Sequence, residues 1–564
     1  MPDAPLSWDE AVAVVTGPDG RYPLVDATIE GRPFKVFANT PPSLRFLFEL
    51  ASGYGDQDHL VYEDERLTFA DVWAQVGAMG ALLHDRYGVR HGDRVAIAMR
   101  NYPEWIVAFQ AITSIGAVAV ALNAWWTTDE LEYGFEDCGA KVAVCDQERA
   151  ERLAPVREGL GLSVIGVRLT DDLPGVDRLE DVLDPSAPLP DVAIESDDDA
   201  TILYTSGTTG HPKGAVSTHR AVLSGLLAFG ARSAVSALME PATEDDGAPE
   251  DRTAYILVVP LFHATGLIPV MLGTTASGAK LVMMYRWDPE RALALIERER
   301  VTAFVGVPTM SWDLLESPDF EKRDTSSLVS VGGGGAPAPA ELVRRVDKGF
   351  EQGKPQIGYG MTETNAYGPG NSGADYLRKP TSSGRAVPVM QVRVVDEEGN
   401  PVPTGAVGEI CFRGPNLIRG YWNQPEATAE VIDADGWLRS GDLGRLDDEG
   451  FIYVEDRAKD MVLRAGENIY CAEVEGAVYE FPGVAEAAAF GVPHERLGEE
   501  VALAVVPSPG TVLDVDGLLA HLQRHLAAFK VPTIVKIRTE RLPRNASGKI
   551  LKRDLRDEAE AEAG

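Results

Sequence analysis

Helical segments that lead directly into continuous apolar strands recur along this chain, and this alternation restricts its fold more than any other feature. After Pro103, residues 104–115 have the pattern of a helix, and the uninterrupted apolar run of residues 117–122 follows. The same order, a helix and then an apolar strand, recurs in residues 289–307. Strands that are apolar on both faces are typical of parallel sheets covered by helices. The pattern therefore predicts an α/β fold with doubly wound layers.

The pattern changes towards the carboxyl terminus, from about residue 473. Short strands are predicted at residues 485–490, 501–506 and 534–537, with one helix at residues 515–529. A chain of 564 residues is also longer than a typical single domain. The sequence therefore predicts a large α/β domain followed by a small α+β domain.

The chain is strongly acidic. It has 52 Lys and Arg residues against 87 Asp and Glu residues, which gives a net charge of −35. Such a surface repels nucleic acid and anionic membranes at long range, so we expect no nucleic-acid partner. An anionic substrate would have to be received by local positive charge from a few Lys and Arg residues, helix amino termini or a metal ion.

Two stretches without formal charge, residues 105–128 and 253–279, are long enough to span a membrane. Polar residues and prolines interrupt both, so we interpret them as buried elements of a large core and expect no integral membrane segment. The amino terminus lacks the basic and apolar regions of a signal peptide. Four cysteines without a C-x-x-C pair suit a reducing compartment. These features predict a cytoplasmic protein.

The segment at residues 204–214 reads Tyr-Thr-Ser-Gly-Thr-Thr-Gly-His-Pro-Lys-Gly and follows an apolar strand-like run. Its glycines allow backbone N–H groups to turn towards a phosphate, its hydroxyls can donate to phosphate oxygens, and its lysine supplies positive charge. A flexible surface loop is the alternative for such a composition. The Walker A pattern is absent from the chain, so this segment is not a Walker A loop.

This segment resembles the phosphate loop of the adenylate-forming superfamily, which includes acyl-CoA synthetases, aryl-CoA ligases, luciferases and peptide-synthetase adenylation domains. The other motifs of that superfamily occur here in the same order. The resemblance implies that the following loop residues bind nucleotide: Thr205, Ser206, Gly207, Thr208, Thr209, Gly210 and Lys213.

Two further motifs resemble the walls of the acyl and adenine pockets. His263, in Pro-Leu-Phe-His-Ala-Thr-Gly, matches the gate between the acyl pocket and the thiol channel. Taken alone, it would more often be a core histidine. The run Gly-Gly-Gly-Gly-Ala-Pro resembles the segment beside adenine and the acyl group, and it implicates Gly334, Ala336 and Pro337. Its small residues, together with Gly306, are interpreted as room for an elongated apolar acid.

The segment Gly-Tyr-Gly-Met-Thr-Glu at residues 358–363 matches the central motif of the superfamily. By resemblance, Tyr359 stacks on adenine, Thr362 hydrogen-bonds the α-phosphate, and Glu363 holds Mg²⁺, a hard cation that prefers carboxylate oxygen. The neighbouring Gly360 and Met361 complete this part of the nucleotide site. A surface turn with a solvated glutamate is the alternative.

The motifs nearer the carboxyl terminus imply a moving domain. Asp442 resembles the ribose-binding aspartate and Arg457 a second ribose contact, whereas Lys459 resembles the hinge. The implied domains are therefore residues 1–458, which bind AMP and the acyl group, and residues 459–564, which are mobile. By the same resemblance, the thiol channel is lined by Gly466, Glu467 and Asn468 together with His263, and Lys549 is the catalytic lysine of adenylation.

The resemblance implies an AMP-forming carboxylic acid–CoA ligase that uses ATP, Mg²⁺ and CoA. His263 occupies the position where amino-acid-activating relatives usually carry Asp, and no carrier domain follows Lys549. Both points favour a free-standing acyl-CoA synthetase. From the small residues near the implied pocket we expect a medium- to long-chain fatty acid as substrate, with aryl or polycyclic acids as the alternative. Two other functions stay open: an acyl-AMP ligase that loads a carrier protein, and a nucleotide-binding sensor without turnover. A homodimer also stays open.

Overall fold

The computed structural model describes residues 5–205, 212–240, 252–457, 460–465, 467–494, 496–545 and 548–563. Its first part is a large α/β domain, as the sequence predicts. The strands of this domain are β1 (Leu24–Ile29), β2 (Arg32–Phe37), β3 (Asp58–Tyr62), β4 (Glu65–Thr68), β5 (Arg94–Ala98), β6 (Val118–Ala121), β7 (Val142–Asp146), β8 (Ser163–Val167), β9 (Val176–Arg178), β10 (Asp199–Thr205), β11 (Lys213–Thr218), β12 (Ala254–Leu257), β13 (Lys280–Met283), β14 (Ala303–Gly306), β15 (Ser330–Gly334), β16 (Lys354–Gly358), β17 (Pro369–Ser372), β18 (Arg385–Ala386), β19 (Gln391–Val395), β20 (Gly408–Arg413), β21 (Gly420–Tyr421), β22 (Leu438–Leu446) and β23 (Ile452–Arg457).

The helices of the large domain cover the faces of its sheets. They are α1 (Trp8–Thr16), α2 (Leu44–Ser52), α3 (Phe69–Ala81), α4 (Pro103–Ser114), α5 (Thr128–Cys138), α6 (Gln147–Leu153), α7 (Arg157–Leu160), α8 (Leu179–Val182), α9 (His219–Met239), α10 (Gly273–Ser277), α11 (Pro289–Glu299), α12 (Pro308–Glu316), α13 (Ala340–Gly349), α14 (Gly373–Arg378) and α15 (Pro425–Val431). Shorter helical segments are the π-helical Leu82–Arg86 and Gly266–Leu272 and the 3-10 turns Phe320–Lys322 and Thr362–Thr364.

Two mainly parallel sheets organise the large domain. One has the strand order β21-β11-β10-β6-β5-β7-β8-β9, and the other has the order β18-β17-β16-β15-β14-β12-β13-β3-β4. A four-stranded antiparallel sheet, β19-β20-β22-β23, completes the domain beside them. The crossovers between parallel strands run through helices, so both sheets are covered on their faces.

Helix α4 shows how the core unites the two large sheets. Nearly every residue of α4 is buried, and its side chains share one hydrophobic cluster with both sheets. This explains the first uncharged stretch, because a helix that packs on all sides is apolar on all sides. The second stretch forms β12, a π-helical segment and α10, which are also buried. The predicted interpretation of both stretches as core elements is confirmed.

The helix–strand units predicted from the sequence are present. Proline at the first helical position starts both α4 and α11, and the Asp288 side chain caps α11 by accepting the Arg291 N–H at 2.8 Å. The strands β6 and β14 follow these helices as predicted.

The small domain is an α+β unit built on a five-stranded sheet. Its elements are β24 (Val462–Arg464), β25 (Glu467–Ile469), α16 (Cys471–Tyr479), β26 (Val484–His494), β27 (Gly498–Pro507), α17 (Val515–His525), the 3-10 turn Ala528–Lys530, β28 (Ile534–Ile537) and α18 (Lys552–Ala563). Strands β26 and β27 form a long antiparallel pair, and β28 joins β27 in parallel. Helix α17 ends at His525, four residues earlier than predicted, because Leu526 is extended and a separate turn follows.

One helix among the described residues, α9, is long and apolar enough to cross a membrane by length and composition alone. Half of its most apolar window is buried within the protein, so this is weak evidence for a membrane segment. All four cysteines are buried and free, and burial raises the pKa of each thiol.

Candidate active site

The candidate site lies where four neighbouring parallel strands of the nine-stranded sheet end. Strands β12, β14, β15 and β16 are adjacent and parallel, so the segments that follow them emerge at one edge. Those segments carry His263, Val307, Ala336 with Pro337, and residues 359–363. The carboxyl-terminal edge of a parallel sheet is where α/β proteins bind ligands. The topology thus brings three separate predicted motifs together.

The glycine run forms β15, and its glycines are required by the backbone of the neighbouring strands. A Cβ atom on Gly333 would lie 1.6 Å from the carbonyl oxygen of Gly306, and one on Gly332 would lie 1.9 Å from that of Gln356. A Cβ on Gly334 would lie 2.4 Å from the Gly358 oxygen. The backbone of adjacent strands therefore explains why these positions are glycines, and their interpretation as room for an acyl chain stays a prediction.

Three side chains predicted for the adenine and ribose contacts lie together, joined by an ion pair and a hydrogen bond. Asp442 on β22 lies opposite Arg457 on β23, and the Arg457 Nε is 3.4 Å from Asp442 Oδ1. The Tyr359 hydroxyl donates to Asp442 Oδ2 at 2.6 Å. Burial, and next the Asp442 charge, raise the pKa of Tyr359 well above its usual value, so this tyrosine is neutral and donates. The structure brings together all three side chains predicted for adenine and ribose.

Glu363 is a buried carboxylate at the centre of the site. It lies in the turn Thr362–Thr364, which follows Gly360 and is fixed where the Met361 N–H donates to Thr364 Oγ1 at 3.0 Å. Glu363 is 6% exposed, and burial raises its pKa, while a hydrogen bond from Tyr421 opposes this rise. That bond, from the Tyr421 hydroxyl to Oε1, is 2.7 Å long.

The chemistry of this carboxylate fits a hard divalent cation. Among the residues that the structure describes, no Lys or Arg forms an ion pair with Glu363, although the charge of Arg457 and the Tyr421 hydrogen bond both oppose the rise of its pKa. Nor does this part of the chain contain a cluster of three His, Cys, Asp or Glu side chains that could hold a metal alone. Mg²⁺ is typically held by one or two carboxylates plus substrate phosphates, which is the arrangement that Glu363 could provide.

The ends of the predicted phosphate loop lie beside this carboxylate. Thr205 ends β10 and Lys213 begins β11, and the two are paired across the antiparallel ladder. The Lys213 ammonium lies 5.1 Å from the centre of the Tyr421 ring. Tyr421 therefore touches both the lysine predicted to face the phosphates and the carboxylate predicted to hold the metal. The predicted loop residues Ser206, Gly207, Thr208, Thr209 and Gly210 lie outside the described residues.

The segment before His263 is fixed by a side chain of the loop between β5 and α4. The Asn101 amide donates to the Val259 carbonyl and accepts from the Leu261 N–H, both at 3.0 Å. Burial lowers the pKa of His263 to about 4, and its Nε2 is among the buried polar atoms without a hydrogen-bond partner. The imidazole is therefore neutral at pH 7, as expected of a gate.

The turn that carries Lys549 packs against the same edge. A Cβ atom on Gly548 would lie 3.1 Å from Val307 Cγ2, and Gly548 has a positive φ of 83° that favours glycine. The Asn545 side chain accepts the Lys549 N–H at 2.9 Å. The small domain thus brings the turn of the predicted catalytic lysine next to the end of β14.

The predicted thiol-channel residues occupy a different place. Glu467 and Asn468 lie on β25 and are exposed, whereas the half-buried His263 lies at the edge of the nine-stranded sheet. The predicted hinge Lys459 and channel residue Gly466 lie outside the described residues. Sequence reasoning missed Tyr421, Asn101 and Val307, which lie outside the quoted motifs.

Comparisons with known proteins agree with this geometry. The AMP-binding enzyme family model matches residues 47–422, and the model for the AMP-binding enzyme C-terminal domain matches residues 473–549. The feruloyl-CoA synthase of Amycolatopsis sp is 40% identical over 498 residues, which cover 87% of this chain and 93% of that protein. The long-chain-fatty-acid–CoA ligase FadD13 of Mycobacterium tuberculosis is 34% identical and covers 88% and 94% of the two chains. The ATP-bound MatB structure from Rhodopseudomonas palustris has a TM-score of 0.78 at 31% identity and covers 92% and 99%.

The fold and the site define an adenylate-forming enzyme, and the chain belongs to the AMP-binding enzyme family. Within that family it is an AMP-forming acid–CoA ligase, with ATP and CoA as its substrates. The predicted superfamily, fold class and enzyme class are confirmed. The roles of individual residues and the boundary at residues 458 and 459 stay predictions.

Proposed function

We propose that the enzyme activates a compact aromatic carboxylic acid as its acyl-adenylate and then transfers the acyl group to CoA. The observation that carries the ligase mechanism is the contact of the Lys549 turn with Val307, beside the convergent Tyr359, Asp442 and Glu363. The carboxylate attacks the α-phosphorus of ATP, forms a C–O–P linkage and expels pyrophosphate. Negative charge therefore builds on phosphate oxygens, where positive groups stabilise it.

Each part of the site has a role in the first step. Tyr359 contacts adenine, and Asp442 with Arg457 holds the ribose hydroxyls. Lys213 faces the departing phosphates, Thr362 donates to the α-phosphate, and Lys549 bridges the acid and the α-phosphate. When bound, Mg²⁺ on Glu363 would supply additional positive charge next to the phosphates.

The second step needs the thiol of CoA to reach the acyl carbon. Rotation about Lys459 would withdraw Lys549 and bring the loop of Gly466, Glu467 and Asn468 to the site, a hinge movement that also excludes water. Because the His263 side chain is neutral, it can move aside for the incoming pantetheine arm of CoA without breaking an ion pair.

Two observations support an aromatic acid. The feruloyl-CoA synthase relative, at 40% identity, is more similar to this chain than the fatty-acid ligase FadD13, at 34%. In addition, a Cβ on Gly306 would lie 3.0 Å from the ring of Phe304 and 3.2 Å from Met310 Sδ, so bulky side chains crowd the end of β14. A short, rigid acid suits such a pocket better than a long flexible chain. A medium- to long-chain fatty acid is the second candidate, favoured by FadD13.

The test incubates purified enzyme with ATP, Mg²⁺ and a panel of hydroxycinnamic, benzoic and saturated C8–C16 acids, with and without CoA. Pyrophosphate release and product masses are followed. We expect the highest kcat/KM with a hydroxycinnamic acid, and a thioester only when CoA is present. Preference for C12–C16 acids would replace the aromatic proposal with the second candidate. An adenylate without thioester would favour the carrier-protein ligase, and no pyrophosphate with any acid would favour the sensor.

The role of Lys549 is tested separately by Lys549→Ala. We expect adenylation to fall by at least about a hundredfold, the usual effect of removing one charge-stabilising group, while thioester formation from supplied acyl-adenylate persists. Equal loss of both steps would refute this division of roles.

A further inference from the structure

An ion pair joins the two domains close to the Lys549 turn. Asp313 on α12 is only 11% exposed in its side chain and accepts from both terminal nitrogens of Arg541, with Nη1 at 3.3 Å from Oδ2. The Trp287 indole N–H donates to the same Oδ2 at 2.8 Å. Arg541 lies in the small domain between β28 and the Lys549 turn. A bidentate guanidinium therefore links α12 to the segment that delivers the lysine.

A chain of polar contacts continues from this pair to the lysine. Glu486 on β26 lies 3.6 Å from Arg541 Nε and 3.0 Å from Arg544 Nη2, and it accepts the Leu542 N–H at 2.9 Å. Arg544 Nη1 in turn donates to the carbonyl oxygen of Gly548 at 2.8 Å. These contacts lie within the small domain and connect the interdomain ion pair to the residue before Lys549.

Helix α12 receives two contacts from the small domain. Val307, at its amino-terminal cap, packs on Gly548, and Asp313, nearly two turns further on, binds Arg541. Two contacts spaced along one helix fix an orientation that a single contact would leave free to pivot. Rotation of the small domain away from α12 must break the Asp313–Arg541 pair. The Glu486–Arg544 contact lies within the small domain and would stay intact.

We propose that Asp313 and Arg541 are positioning residues that hold the enzyme in its adenylating arrangement, with Lys549 at the site, and so set the balance between the two half-reactions. This inference rests on the proposed role of Lys549. Because the Arg541 side chain is 63% exposed, the pair biases the arrangement without locking it. A weak link suits a domain that must leave the site in every turnover.

The experiment compares Asp313→Asn, Arg541→Gln and the charge-exchanged double variant Asp313→Arg with Arg541→Asp in the full-length enzyme. We expect each single variant to lower the adenylation rate by about 2- to 5-fold, as for an exposed ion pair, and to leave or raise the rate of thioester formation from supplied acyl-adenylate. The double variant should recover at least half of the lost adenylation rate. The matched control is Arg538→Gln, because Arg538 pairs with Glu558 inside the small domain.

A second readout needs no turnover. The four native cysteines are buried, so spin labels can be placed at Glu321→Cys in the large domain and Arg553→Cys in the small domain, both at exposed positions. Loss of the ion pair should add a second distance population to the ligand-free enzyme. Equal decreases in both half-reactions, or unchanged distances and rates, would overturn the positioning role. If Lys549→Ala retained adenylation while the distances still shifted, the proposed function of Lys549 would fail and the interdomain link would stand.

Discussion

Tyr421 is the residue that links the phosphate and metal parts of the site, because it donates to Glu363 and lies under Lys213. Tyr421→Phe removes the donor and leaves a buried carboxylate with one fewer hydrogen bond. The pKa of Glu363 should then rise further, since burial already raises it and the Tyr421 bond opposes that rise. We expect adenylation to fall by roughly tenfold, as for a lost hydrogen bond to a charged group.

The measurement is the initial rate of pyrophosphate release across pH and Mg²⁺ concentration. Because a protonated Glu363 cannot bind a cation, the acid limb of the variant's profile should move to higher pH, and half-saturation should need more Mg²⁺. Tyr54→Phe is the matched control, as the Tyr54 hydroxyl bonds the Ala276 carbonyl at 3.2 Å beside α10. An unchanged acid limb in Tyr421→Phe would remove Tyr421 from the site's chemistry.

Tyr421 also shows which kind of site residue cannot be predicted from the sequence. Tyr359, Glu363 and Asp442 could be assigned because each lies in a motif whose chemistry is local. Tyr421 reaches Glu363, 58 residues earlier, only because β21 pairs with β11 at the edge of the eight-stranded sheet. The pairing of two strands that are far apart in the sequence leaves no pattern in a single sequence.

Strand β15 provides a test at the level of one element. Gly333→Ala would place a Cβ 1.6 Å from the Gly306 oxygen on β14, so the two strands could not stay paired. We expect a loss of about 3 kcal/mol or more in the free energy of unfolding, or no soluble protein. Urea denaturation followed by circular dichroism measures this loss.

The control for this strand is Gly358→Ala on the adjacent β16. Its Cβ would have as nearest neighbour the Gly333 oxygen at 4.0 Å, an ordinary contact. The free energy of unfolding of this variant should be close to that of the wild type, even if the variant loses activity. Equal stability of the Gly333 and Gly358 variants would contradict the packing explanation of the glycine run.

Element by element, the sequence predicts structure best where local rules suffice. Proline and Asp288 at helix starts and the apolar runs after α4 and α11 predict α/β units that the structure confirms. The sequence does not show the backbone contacts across the sheet that require glycine in this run. The close approach of β14 and β16 to β15 becomes visible only with three-dimensional neighbours.

At the scale of the whole molecule, the sequence predicts two domains but not their arrangement. The order of strands in the two large sheets depends on long crossovers, and the docking of the small domain on α12 depends on contacts such as Asp313 with Arg541, 228 residues apart. The sequence likewise does not show which histidines the fold buries. Among the described residues, His59 and His219 are buried in different parts of the large domain, and His263 has a buried Nε2 atom at the candidate site.

These histidines predict how stability changes with pH. Burial lowers the pKa of His59 to about 3 and the pKa values of His219 and His263 to about 4. In the unfolded chain they titrate near their ordinary value of about 6.5, so between pH 6.5 and 4 the unfolded state binds more protons. The free energy of unfolding must therefore fall as the pH is lowered through this window, even though the carboxylates are still largely ionised in its upper part.

His59 offers the cleanest test, because its ring stacks on Phe69 at 4.0 Å, far from the motifs of the site. We expect His59→Gln to be less stable than the wild type at pH 7 but to lose roughly 1–2 kcal/mol less between pH 7 and pH 5. Urea unfolding at several pH values measures this slope. Parallel pH slopes for the wild type and His59→Gln would mean that the acid sensitivity of the fold comes from groups other than its buried histidines.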